Sequence, residues 1–141
     1  MFYGQSREEI RKYFFDTWAK RDAQTPLSPF ENMMIDVISC HPEYHHLLED
    51  ENANIDKDYS PESGESNPFL HMALHIALIE QVSTNRPQGI SAIYDRILSR
   101  YQDKHEGEHV MVDCLAEMIW ESQRSNTPPD DKAYIERLNR L

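Results

Sequence analysis

The chain has 141 residues, enough to bury a core without disulfides or a structural metal. Its formal net charge of -11, from 14 Lys and Arg against 25 Asp and Glu, argues against nucleic acid or an anionic membrane surface as a partner, since both need clustered cations. No apolar run approaches the roughly 20 residues of a membrane span, and the start, Met1-Phe-Tyr-Gly-Gln-Ser-Arg-Glu-Glu9, lacks the basic-then-apolar order of a signal peptide, so a cytoplasmic protein is expected.

In chain order, Ser6-Arg-Glu-Glu9 has the pattern of a capping box. The segment that follows places Ile10, Tyr13, Phe14, Phe15 and Trp18 along one side, which predicts an amphipathic helix ending near Ala23. Ser28-Pro-Phe-Glu31 opens a second helix, whose apolar face is Met33, Met34, Ile35, Val37 and Ile38. His41-Pro42 interrupts it, and a short helix from Glu43 to Leu48 resumes. Glu49 to Ser66 is acidic, contains Pro61 and Gly64, and reads as a long surface loop.

Asn67 to Val82 is the most apolar stretch and predicts the central helix, with Asn67 as N-cap and Pro68 in the first position. Phe69, Leu70, Met72, Leu74, Ile76, Leu78 and Ile79 point around it in every direction, so burial on most sides is expected. Gly89 to Tyr101 and Asp103 to Arg124 carry further helical spacing. Pro128-Pro129-Asp130 stops the chain and caps a last short helix with Tyr134, Ile135 and Leu138. Period-two alternation never persists. The expected architecture is all-α, a single-domain bundle over residues 1–141 of about five or six helices. Cys40 and Cys114 form no Cys-x-x-Cys pair and lie among apolar residues, which predicts buried free thiols. Trp18, Trp120 and Phe69 are expected in the core.

Six of the seven histidines fall into pairs four residues apart: His41 with His45, His71 with His75, and His105 with His109. Chance supplies about 0.3 such pairs in a chain of this composition. On a helix, residues i and i+4 project together. On the helix from Asp103, His105 and His109 share an arc with Val112, Ala116, Ile119 and Trp120, so that stripe is expected to face inward.

Imidazoles that converge in this way suit a divalent transition metal, zinc or iron, with His41, His45, His71, His75, His105 and His109 as candidate ligands. Glu80, Glu106, Glu108 and Asp113, with Asp36 and Glu49 beside the first pair, are candidates to join them or to fix their tautomers. The same residues also admit a buried network of histidine hydrogen bonds without metal, or separate surface histidines; His46 is expected to be exposed.

The paired helical histidines resemble hemerythrin-like proteins in that feature alone, which implies no oxygen binding. Glu43-Tyr-His-His46 and Glu106-Gly-Glu-His109 fit the Glu-x-x-His motif of ferritin-like di-iron bundles, a plan that leaves His71 and His75 unexplained. Neither Gly-x-Ser-x-Gly nor His-Glu-x-x-His occurs, and the glycines form no phosphate loop, so no nucleotide cofactor is expected.

His41-Pro-Glu-Tyr-His45, Asn67-Pro-Phe-Leu-His71 with His75, Arg86-Pro-Gln-Gly-Ile90, and His105, His109 with Cys114-Leu-Ala-Glu-Met-Ile-Trp120 resemble, in their order, a small bacterial family known only as a domain of unknown function. The resemblance implies a cytoplasmic bacterial protein and carries no activity. Two functions therefore stand side by side. One is a metal-binding helical bundle. The other is a non-enzymatic acidic adaptor with a structural histidine network, whose 49–66 segment contacts a protein partner. A small-molecule substrate and a homo-oligomer are left open by both.

Overall fold

The computed structural model describes residues 6–59 and 66–141. The described residues form eight α-helices and one 3-10 turn, and no strand occurs among them. In order these are α1 (Arg7–Ala19), α2 (Pro29–Ser39), a 3-10 turn (Pro42–Tyr44), α3 (His45–Leu48), α4 (Glu51–Asn54), α5 (Pro68–Thr84), α6 (Ile90–Leu98), α7 (Lys104–Ser125) and α8 (Asp131–Asn139). None of the described helices is long and apolar enough to cross a membrane. The all-α class is as expected, but the count of five or six is corrected to eight. The helix that was not expected at all is α4, a single turn too short to leave a period of 3.6 in the sequence. α4 lies inside the stretch expected to be loop, where the Asp50 carboxylate accepts from the Ala53 N–H. Residues 60–65 of that expected loop fall outside the described residues.

The chain divides into two compact units, Met1–Ala73 and Leu74–Leu141, with the boundary inside α5. In the first unit, Ser6 caps α1 through the Glu9 N–H, and Ser28 and Glu31 close a reciprocal capping box at α2. Phe14, Phe15 and Trp18 of α1 are buried, as are Met34, Val37 and Ile38 of α2, Leu48 of α3, and Phe69 and Met72 of α5. Phe69 anchors this group, with the rings of Phe14 and Phe15 at 5.9 and 5.7 Å.

Arg11 is buried beside it at 1 % exposure and serves as a cap from outside the helix. Its Nη1 donates to the carbonyls of Asn54, Ile55 and Lys57 at the end of α4. Its guanidinium also lies 4.9 Å from the centre of the Phe69 ring. Three carbonyls and an aromatic face thereby take the place of water around a buried cation.

In the second unit, one apolar cluster joins Leu78 of α5, Ile90, Ile93 and Ile97 of α6, Met111, Val112, Cys114, Leu115 and Met118 of α7, and Tyr134 and Leu138 of α8. The Tyr134 hydroxyl donates to Gln81 Oε1 at 2.8 Å, and burial pushes that phenol far above its usual range.

Four further expectations are corrected. Leu70 is 56 % exposed, so α5 is not covered on every side where it begins. Cys40 is exposed at the end of α2, whereas Cys114 is buried as expected. Trp120 is 54 % exposed and carries the Arg124 guanidinium 4.4 Å from its ring centre. The histidine stripe of α7 lies at the edge of the inward face: of its members Val112 is buried, His105 and His109 are only half-buried, and Gly107, Glu108, Met111, Val112, Cys114, Leu115 and Met118 form the buried arc. At about 100° per residue Trp120 lies about 60° beyond His105, on the side away from that arc.

Candidate metal centre

Within the second unit, α5 supplies His75 and α7 supplies His105 and His109. α7 begins where it does because the Asp103 carboxylate accepts from the His105 N–H at 3.0 Å, which fixes His105 in the first turn and His109 one turn later. Gly107, between them, lets the end of α6 come close. A Cβ at this position would meet Leu98 at 3.1 Å and Tyr101 at 3.4 Å.

The three imidazoles converge. The ring centres of His105 and His109 are 4.1 Å apart, those of His75 and His109 4.9 Å, and those of His75 and His105 5.0 Å with their planes 3° from parallel. One ring nitrogen from each lies within 4.8 Å of the others. A tetrahedral ion with bonds near 2 Å holds its donors about 3.3 Å apart, so side-chain rotations that close the gap by about 1.5 Å complete a coordination triangle. His75 is buried at 2 % exposure, and His105 and His109 are open to solvent on one side.

The donor group contains no carboxylate and no thiolate among the described residues. Glu106 and Asp113 are exposed, as are Asp36 and Glu49 in the first unit. Glu108 is buried at 6 % exposure, where burial pushes its carboxyl above the usual range against the pull of Lys104. It acts on Tyr94 of α6, whose phenol is pushed up to about 12 by burial first and by Glu108 second. Three neutral nitrogen donors thus make a site of borderline softness, suited to zinc, iron, nickel or copper and poorly suited to calcium or magnesium.

Within the first unit, Pro42 ends α2 and turns His41 inward, to 1 % exposure. His41 Nδ1 donates to the Val37 carbonyl at 2.7 Å. A carbonyl only accepts, so the proton sits on Nδ1 and the ring lone pair on Nε2, the tautomer of many metal ligands. The His41 ring stacks on Tyr44 at 5.4 Å and meets the edge of the His71 ring at 4.9 Å. His45, the sequence partner of His41, is used differently. Its Nε2 donates to the Ile38 carbonyl at 2.9 Å, and its ring lies 4.6 Å from that of Trp18.

The six candidate histidines are therefore sorted by their surroundings. His75, His105 and His109 form a donor group, His41 packs with His71 and Tyr44, and His45 ties α3 to the end of α2. The Glu-x-x-His reading of Glu43 and His46 fails, because both side chains are exposed. Tyr44 was not singled out by sequence reasoning. Its position three residues after His41, across a proline, was the available signal.

Residues 6–140 match the model of a family described as a domain of unknown function (DUF1841). No curated protein and no solved structure matches the chain.

Proposed function

The chain belongs to the DUF1841 family, and we propose that it binds one divalent transition metal ion, zinc or iron, through His75, His105 and His109. The observation that carries this reading is the approach of ring nitrogens from three histidines on two helices to within 4.8 Å.

The test is elemental analysis of untagged protein, as purified and after reconstitution with zinc or iron(II). About one equivalent is expected, lost on His75→Ala or His109→Ala. Less than about a tenth of an equivalent of every transition metal after reconstitution would contradict the proposal.

The alternative, an acidic adaptor with structural histidines, draws support from His45, whose ring and nitrogen are both committed to packing and a backbone carbonyl. On that reading His75→Ala lowers the melting temperature equally with and without added metal.

A further inference from the structure

We propose that the outward ridge of α7 is a self-association surface, on which a second copy of this chain docks antiparallel, α7 against α7, around Trp120. The ridge comprises Asp113, Glu117, Trp120 and Arg124, all of them exposed. At about 100° per residue they fall within an arc of about 60°. They lie on the side of the helix away from the buried Met111, Leu115 and Met118. None of the histidines takes part, so the surface is independent of the metal reading above.

Trp120 is 54 % exposed, and Trp with Arg is the pairing most enriched where protein partners meet. A lone exposed aromatic does not select a partner, but the charges on either side of this one do. Asp113 and Arg124 bracket Trp120 on the ridge, about 16 Å apart along the helix axis. Neither has an ion-pair partner among the described residues. The Arg124 guanidinium lies 4.4 Å from the centre of the indole, with its face on the ring, which leaves its N–H edge to take a carboxylate. Glu117 differs, because Arg137 of its own chain holds it at 3.3 Å.

This order of charges is complementary to itself when reversed. A two-fold axis crossing the ridge between Glu117 and Trp120 sets Asp113 of each copy against Arg124 of the other, so one rotation pairs both charges at both ends. The two indoles then lie beside the axis, offset by about 4.5 Å along the helices, as an apolar centre with a charged rim. A parallel copy would instead set Asp113 against Asp113 and Arg124 against Arg124, which repel. The net charge of -11 opposes the approach of two copies at long range. Screening confines that repulsion to about 8 Å at physiological ionic strength, where the pattern on the ridge decides.

The experiment is analytical ultracentrifugation of the untagged chain over about 10–300 µM, in about 0.15 M salt with a chelator present so that no ion contributes. A reversible dimer is expected for the wild type. Trp120→Ala, Asp113→Arg and Arg124→Asp should each weaken its association about ten-fold or more. Mixing the Asp113→Arg and Arg124→Asp chains should restore a dimer that neither forms alone, because each then meets its opposite charge at both ends. A wild type that stays monomeric throughout would overturn the inference. So would a dimer that the single variants leave intact, or a mixture no more associated than its two parts. All three positions are exposed, and the wild-type series stands by itself where a variant folds poorly.

Discussion

His41 and His45 leave the same bend of the chain four residues apart, and their nitrogens do different work. In each ring one nitrogen donates to a carbonyl of α2, Val37 for His41 and Ile38 for His45. The nitrogen used differs, Nδ1 in the first and Nε2 in the second, and that choice fixes which nitrogen carries a lone pair. His45 also covers Trp18, so its removal costs a hydrogen bond and an aromatic contact. His45→Ala should destabilise the protein by about 1–3 kcal/mol in urea denaturation while leaving metal stoichiometry unchanged. A loss of metal in that variant without a loss of stability would reverse its assignment. Spacing alone did not separate these roles, because identical four-residue pairs look alike until their neighbours are known. What the sequence did reveal was which histidines share a helix, and it is His75, His105 and His109 that came together.

Among the elements, α7 positions most of the centre. It is set by the Asp103 cap at its start and by Gly107 against Leu98. A methyl at position 107 gains about 1 kcal/mol of helix propensity but meets Leu98 Cγ and Cδ1 at 3.1 Å, so the Leu98 side chain must give slightly and Gly107→Ala should be near neutral. Gly107→Val places a branched chain against the same contact. It should cost about 1–3 kcal/mol and weaken metal binding by shifting His105 and His109, as measured by denaturation and by cobalt titration. Unchanged cobalt affinity in a destabilised Gly107→Val protein would show that the close approach of α6 does not place the histidines.

The long helices were legible because their caps and periodicity agree, as at Ser28 and Glu31 of α2. The break at Pro42 also marked α3, expected within Glu43 to Leu48, but α4 was not legible, since one turn inside an acidic stretch is too short to show a period. Trp120 was misjudged because the inward arc of α7 was drawn through its histidines. The apolar residues from Met111 to Met118 define that arc, and the histidines sit at its edge.

At the scale of the whole molecule, a chain of this length carries its own cores, so a bound ion adds stability to a fold that exists without it. Ligand at about 100 times its dissociation constant adds about 2.7 kcal/mol, so zinc should raise the melting temperature by several degrees and a chelator should reverse the rise. The ligating imidazoles must be neutral. The metal-dependent part of the stability therefore falls as the solution is acidified, because protons compete with the metal for the imidazoles. A melting temperature indifferent to zinc at pH 8 would count against the centre and in favour of purely structural histidines.

The most direct measurement is X-ray absorption spectroscopy of the zinc-loaded, untagged protein. The account predicts a first shell of low-atomic-number donors at about 2.0–2.1 Å, with multiple scattering from three imidazoles. A first shell with fewer than two imidazoles, or one dominated by carboxylate oxygen or by sulfur, would contradict it.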